Sequence, residues 1–306
     1  MSAVAECLGR HPVAFLFATS IVLLLVTGLS WYAIERCREP LWRAVERLWD
    51  IFAASPLARA LRRVPWLRQL SSGTVTVWRY LGLHAIVSVA VALAALAAFI
   101  DLADVVDERD DLALFDERLA EALRTHVGDA TLRVFAVLTQ LGDRGVTTAI
   151  GAIVALFFLL RRWWLHAAVW VLGTAGGGLL VLLLKSHFER TRPIHDHSLV
   201  DANGWSFPSG HASGAIFVYG LLGYFVIRHT PRAWHIPIAL VTLTLVTFVG
   251  FSRVILQVHY LSDVLAGFAV GGAWIAVCSS AFEVIRRRDL HEGHLANGAP
   301  RDASQS

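Results

Sequence analysis

The sequence predicts an all-α, polytopic membrane helix bundle, with six helices forming a core and one further transmembrane helix at the N-terminus. Three observations lead there. Hydrophobic residues make up 56% of the 306 residues and charged residues only 17%, which is too little polar surface to cover a soluble globule of this size; the mean hydropathy of +0.57 agrees. Several apolar runs are long enough to cross a hydrocarbon layer about 30 Å thick. Arginines also gather in alternate connections, the asymmetry that orients short loops toward the cytoplasm.

The first run, 13–34, has the length of a span and ends in Ser30-Trp31-Tyr32 rather than in a small-residue cleavage site, so it reads as a retained anchor and not a signal peptide. Residues 36–79 follow with nine arginines, at 36, 38, 43, 47, 59, 62, 63, 68 and 79, and are expected on the cytoplasmic side. Within them Leu41–Phe52 sets Trp42, Val45, Leu48, Trp49 and Phe52 among charges, the pattern of an interfacial amphipathic helix. The second span is expected over 81–101. An acidic stretch then lies outside, with Asp101, Asp104, Asp107, Glu108, Asp110, Asp111, Asp116 and Glu117.

The remaining spans are expected over 145–160, 163–184, 211–228, 236–251 and 262–285, with 145–160 and 236–251 near the short limit. Arg161-Arg162, Arg228 with Arg232, and Arg286-Arg287-Arg288 fall inside; 185–210 and 252–261 fall outside. Three parts follow: 1–80, an N-terminal transmembrane helix with an Arg-rich cytoplasmic segment; 81–285, the six-helix core; and 286–306, a cytoplasmic disordered tail. Gly176-Gly177-Gly178 would permit close helix packing. Cys7, Cys37 and Cys278 are too scattered for a disulfide framework or a metal site. No basic tract with interleaved aromatics points to nucleic acid.

Three polar clusters share the outer face. The first is Lys185-Ser186-His187-Phe188-Glu189-Arg190-Thr191-Arg192-Pro193 and contains the chain's single lysine among 27 Lys and Arg residues. On a continuing helix Lys185 and Arg192 would lie two turns apart on one face and could grip one anion, with Pro193 ending the helix. The second cluster is Phe207-Pro208-Ser209-Gly210-His211, which reads as a helix start. Ser209 would be its N-cap, Gly210 would let a ligand approach the backbone, and the free N–H groups would attract an anion beside His211. In the third, Ser252-Arg253 precedes His259 and Asp263, which are spaced as neighbours on one helical face. A carboxylate there fixes the imidazole tautomer and supports the cation formed when the ring attacks. Arg253 could add a third cation.

Together the clusters resemble the three signature motifs of the type 2 phosphatidic acid phosphatase superfamily: Lys, six residues, Arg-Pro; Pro-Ser-Gly-His; and Ser-Arg, five residues, His, three residues, Asp. Every position matches, and the resemblance covers roughly 81–285. It implies an integral membrane phosphatase acting on a lipid phosphate or diphosphate, such as undecaprenyl diphosphate, phosphatidylglycerol phosphate or phosphatidic acid, in a bacterial inner membrane with the site facing the periplasm or outside. By that resemblance His259 is the nucleophile, Asp263 orients it, and His211 protonates the leaving group and later helps activate water. Lys185, Arg192, Ser209, the Gly210 N–H and Arg253 hold the phosphate oxygens. No metal and no cofactor are implied, since the cations do the neutralising.

Other polar residues have lesser claims. His187 and Arg190 could support the first motif from behind. His195, Asp196 and His197 read as a solvated loop before a metal site. Asp143 and Arg144 read as interfacial. The rival functions are transfer of the phosphoryl group to another lipid, for example lipid A, and a non-catalytic lipid-binding or transport protein of the same fold. A vanadate-dependent haloperoxidase would share the anion site, but those enzymes are soluble.

Overall fold

A computed structural model of the chain describes residues 2–22, scattered positions between 25 and 55, and then 75–107, 111–195, 197, 199–200 and 203–298; in 75–87, 105–107 and 287–298 it describes the backbone alone. The helices are α1 (Ser2–Arg10), α2 (Pro12–Val22), α3 (Val75–Asp107), α4 (Asp111–His126), α5 (Asp129–Leu138), α6 (Arg144–Leu160), α7 (Trp164–Phe188), α8 (Gly210–His229), α9 (His235–Ile255) and α10 (Leu261–Gly298).

Among the described residues, five helical stretches are long and apolar enough to cross a membrane: Asp129–Leu160, Trp164–Phe188, Gly210–His229, Arg232–Ile255 and Leu261–Arg286. They match the five predicted spans from 145–160 onward, with 163–184 starting one residue later, at Trp164. The short 145–160 run gains length because α5 and a 3-10 turn, Thr139–Gly142, precede α6 in the same stretch. The predicted 81–101 span falls inside the 33-residue α3. The 13–34 span begins as α2, and its later part, like most of the Arg-rich segment with Leu41–Phe52, lies outside the described residues.

One expectation is refined and one corrected. Within the acidic stretch Asp101 and Asp104 extend α3, and Asp116 and Glu117 sit in α4. Its apolar residues recur at helical spacing (Leu112, Leu119, Leu123), which gives α4 a face to bury. The tail is not irregular from 286; α10 runs to Gly298, because no proline interrupts it before Pro300 and the charged residues of 286–293 tolerate helix well.

The bundle packs by shape rather than by hydrophobic drive, which lipid does not supply between helices. α3 lies along α10, and α1 lies against α4. At the end bearing Arg161 and Arg162, fully buried Trp170 packs among Phe158, Phe225 and Phe282 and donates its indole N–H to Gly151 O at 2.8 Å. Glu283 is buried there between Arg228 (3.3 Å) and Arg286 (3.0 Å). Gly177 meets the packing role expected of it: a Cβ there would stand 2.8 Å from the Phe217 ring of α8. At the opposite end, Phe99, Phe188 and Phe207 form an aromatic floor at centroid separations of 4.9–6.0 Å. Above that floor the three polar clusters meet.

Candidate active site

Four chain segments reach this end, and each delivers one part of the site. α7 carries Lys185 in its last turn and then stops. Glu189 takes a left-handed conformation (φ 47°, ψ 29°) as C-cap, with its N–H donating to Lys185 O at 3.2 Å. The chain turns back in irregular form through Arg190 and Arg192, and Pro193 holds the residue before it extended. Lys185 and Arg192 therefore do not share a helical face, as the spacing had suggested. They meet because both grip the same returning segment. Lys185 Nζ donates to Trp205 O and to Ser206 O (3.2 Å). Arg192 donates to Gly204 O (2.9 Å), Asn203 O (3.2 Å) and Trp205 O (3.3 Å). Burial lowers the Arg192 guanidinium from its ordinary value, and Asp263 opposes that shift.

Ser209 occupies the N-cap of α8, as expected, but its hydroxyl makes no capping bond. Its Oγ is buried without a partner. Its backbone N–H donates to Asp263 O at 2.9 Å, which ties the start of α8 to that of α10. The approach depends on Gly267, where a Cβ would come within 2.8 Å of Ser209 O. Gly210 and His211 form the first turn of α8. His211 lies within electrostatic range of Arg253, His259, Arg192 and Lys185.

α9 ends with Ser252 and Arg253, both buried. Arg253 Nη1 donates to Thr139 Oγ1 at 3.1 Å, while its Nε is buried without a partner. The chain then wraps back, with Gln257 in the left-handed region (φ 57°) and the Val258 and His259 N–H groups both donating to Arg253 O. His259 is thus on a turn, not on the helical face that its spacing from Asp263 had suggested. Asp263 sits in the first turn of α10 and reaches back: Oδ2 accepts from the Tyr260 N–H (3.0 Å), a capping-box geometry that also brings it to His259 Nδ1 at 3.1 Å. Ser206 Oγ donates to the same Oδ2. Burial pushes His259 down to about 3 despite the raising effect of Asp263, with Arg192 and Arg253 adding to the depression, so the ring is neutral near pH 7.

All eight residues singled out in the sequence (Lys185, Arg192, Ser209, Gly210, His211, Arg253, His259 and Asp263) fall in this one cluster. Of the lesser candidates, Arg190 belongs to it and donates to Asp263 Oδ1 at 2.6 Å. Asp143 is the N-cap of α6, accepting from Gly145 N at 2.7 Å. His197 Nε2 lies 2.9 Å from Leu256 O and so fastens the 190s loop to the turn before His259. Among the described residues no group of three or more His, Cys, Asp or Glu side chains is placed to hold a metal; Asp196 lies outside them.

Two residues were missed. Ser206 carries no sequence signal of its own. Asp116 does: it sits between Leu112, Leu119 and Leu123 on the apolar face of α4, where a carboxylate needs a partner. It is 1% exposed and pairs with Arg190 Nη2 at 3.1 Å. Burial raises its pKa, while Ser262 and Arg190 pull it back.

A model of the PAP2 superfamily matches residues 166–287. Phosphatidylglycerophosphatase B of Bacillus subtilis is 34% identical over 142 residues, which cover 45% of this chain and 68% of that protein. The chain belongs to the PAP2 superfamily. A second relative, decaprenylphosphoryl-5-phosphoribose phosphatase of Mycobacterium tuberculosis, is 30% identical over 149 residues, 47% of this chain and 76% of that one. The crystal structure of a transmembrane PAP2-type phosphatidylglycerolphosphate phosphatase from Bacillus subtilis superposes with a TM-score of 0.59 at 28% identity, covering 64% of this chain and 98% of that one. A multi-pass PAP2 membrane bundle is therefore the architecture of this protein.

Proposed function

We propose that this PAP2 protein hydrolyses a phosphate or diphosphate on a long-tailed membrane lipid, through a phosphohistidine on His259, at the non-cytoplasmic face of a bacterial inner membrane. The observation that carries the reading is the pair of orphaned polar atoms, Ser209 Oγ and Arg253 Nε. Both are buried with no partner, a state native proteins rarely tolerate because each such group costs about 1–3 kcal/mol. Both are donors; Arg253 is within electrostatic range of His211 and His259, Ser209 stands two residues before His211 with its N–H on Asp263 O, and a phosphoryl group supplies the acceptors they lack.

Asp263 holds the proton on His259 Nδ1, so Nε2 keeps its lone pair and attacks phosphorus. The P–N bond forms as the bond to the leaving oxygen breaks, and His211 gives that oxygen its proton. Water then attacks the phosphohistidine while His211 takes a proton from it; the P–N bond breaks, and phosphate leaves with His259 neutral again. Lys185, Arg192, Arg253, Ser209 Oγ and the Gly210 N–H neutralise the equatorial oxygens, the task that metal ions perform in other phosphoryl-transfer sites.

The lipid class rests on position and on the relatives. The site sits where apolar helices meet polar loops, opposite the end with Arg161, Arg162, Arg228 and Arg286, which the positive-inside rule places in the cytoplasm. The relatives are named for phosphatidylglycerophosphate and for a decaprenyl phosphosugar, and the feature common to both is a phosphate on a long apolar tail. The test is phosphate release by the detergent-purified chain from a panel of phosphatidylglycerol phosphate, phosphatidic acid and undecaprenyl diphosphate. Release without an added acceptor lipid supports hydrolysis; phosphate that appears only on a second lipid rejects it. Quenching during turnover should trap an acid-labile phosphoenzyme that the His259→Ala variant does not form.

A further inference from the structure

Behind the nucleophile stands a second layer in which Asp263 is the one named motif position and Asp116 lies outside all three motifs. Asp263 uses Oδ2 for His259, Ser206 and the Tyr260 N–H, and Oδ1 for Arg190 Nη1. Arg190 is shared: its Nη2 reaches Asp116 Oδ2, its Nη1 also donates to Ser262 Oγ at 2.7 Å, and its guanidinium lies over the Tyr260 ring at 4.3 Å. Asp116 in turn accepts from the Ser262 N–H (3.2 Å) and from Ser262 Oγ. The result is a buried row of carboxylate, guanidinium, carboxylate and imidazole, with Asp116 and Asp263 both 0–1% exposed. Asp116 comes from α4, before the stretch that the family model matches.

Charge balance assigns this layer a task. A guanidinium 2.6 Å from Asp263 competes with His259 for the negative charge of that carboxylate. Were Arg190 facing Asp263 alone, the support for a phosphorylated imidazolium would be weakened. A second carboxylate on the far side of Arg190 divides its attraction. We propose that Asp116 is a positioning residue for the phosphoryl transfer: by sharing Arg190 with Asp263 it sets how much negative charge Asp263 presents to His259, and through Ser262 it docks α4 onto the first turn of the helix that bears Asp263. The inference rests on His259 being the nucleophile.

The experiment is a double-mutant cycle in the full-length, detergent-purified protein, with kcat, KM and the rate of acid-labile phosphoenzyme formation measured for each variant. Asp116→Asn leaves Arg190 wholly on Asp263 and should lower kcat and phosphoenzyme formation together by about tenfold, with KM within about twofold of wild type. Arg190→Gln leaves two buried carboxylates facing one another; one of them takes a proton, and kcat should fall about a hundredfold or more. Removing the second charge relieves that conflict, so Asp116→Asn/Arg190→Gln should be more active than Arg190→Gln alone, by about fivefold or more. A purely structural role for the pair predicts the opposite order, with the double variant the worst. Ser262→Ala removes one bond to Asp116, moves no charge and keeps the backbone bond; it should cost about threefold in kcat, and it stands in should Asp116→Asn not fold. A double variant no better than Arg190→Gln, or Asp116→Asn and Ser262→Ala variants that form phosphoenzyme at the wild-type rate, would overturn the inference alone. Wild-type turnover with no phosphohistidine would overturn the nucleophile reading, and this inference with it.

Discussion

Arg192 Nη1 stands 3.0 Å from His259 Nε2, and this single contact fixes the tautomer of the ring. A guanidinium has only donors, so Nε2 must accept and Nδ1 must carry the proton, which it gives to Asp263 Oδ2 at 3.1 Å. The nitrogen with the lone pair is therefore the one that faces the cations. Asp263→Asn should undo this. An amide NH2 turned toward Nδ1 forces the other tautomer and places a proton on Nε2, so kcat should fall about 10³–10⁴-fold, nearly as far as in His259→Ala. Steady-state phosphate release from the two variants checks it; an Asp263→Asn enzyme within tenfold of wild type would contradict the tautomer assignment.

The environment of His259 sets a pH expectation. Its pKa is pushed down to about 3, chiefly by burial. The neutral ring is the active form, so activity on its account is present above that value and is lost as pH falls through about 3, not through the ordinary imidazole range near 6.5. His211 must be protonated to act as an acid; among Arg253, Arg192 and Lys185 it is the bound phosphate's negative charge that holds this proton, so the alkaline limb belongs to the complex and the profile of kcat is bell-shaped. Measured from pH 3 to 9, with the substrate phosphate's own ionisation divided out, an acid limb centred near 6.5 would argue against the packed surroundings of His259. A profile without an alkaline limb would remove His211 from the acid role.

The orphaned donors should reveal themselves through an analogue of the transferring group. Vanadate takes a geometry close to that of a phosphoryl group in flight. Ser209→Ala should weaken vanadate inhibition about tenfold, and Arg253→Lys, which keeps a charge but gives up the fork and its Nε–H, about a hundredfold. Inhibition curves at fixed substrate measure both. Equal inhibition of wild type and both variants would mean that Ser209 Oγ and Arg253 Nε do not meet the oxyanion.

Lys185, Arg192 and Arg253 already supply three cations, so chelators should leave the rate unchanged. Full activity in excess EDTA is the expected result. Complete loss that Mg²⁺ restores would mean that a metal does part of the neutralising.

Much of this site was legible in the sequence because its chemistry is carried by residue types that membrane segments otherwise avoid. A lysine, two arginines and two histidines beside apolar runs have few structural uses, and their grouping on one side followed from the loop charges alone. What the spacing could not give was the means of convergence. Lys185 with Arg192, and His259 with Asp263, have helical intervals, yet each pair meets across a helix end. Glu189 breaks α7 in the left-handed region, and Gln257 turns the chain after α9. Neither residue is a glycine or a proline, so nothing local marked the breaks. Ser206 and Asp116 lay hidden for a different reason: they act on Asp263 from segments far along the chain, and only tertiary packing brings them there. Even so, an aspartate in the apolar stripe of α4 was a visible discord.

Gly267 makes the convergence of α8 and α10 testable. A Cβ at this position would lie 2.8 Å from Ser209 O, 3.0 Å from Ala212 Cβ and 3.3 Å from Ser213 N, two of which are backbone atoms that cannot swing aside. Gly267→Ala must push α10 away from the start of α8, stretching the bond from Ser209 N to Asp263 O and with it the spacing between the phosphate cradle and the carboxylate that orients His259. Overpacking of this kind costs about 1–3 kcal/mol of stability, and a displacement near 1 Å at the reacting groups costs about a hundredfold in rate. Gly272, further along the same helix, has nothing within 4 Å of its would-be Cβ, so Gly272→Ala should fold and turn over as wild type does. Thermal melting and phosphate release measured on both variants separate the two effects, and a Gly267→Ala enzyme as active as Gly272→Ala would show that the close contact between the two helices does not set the geometry of the site.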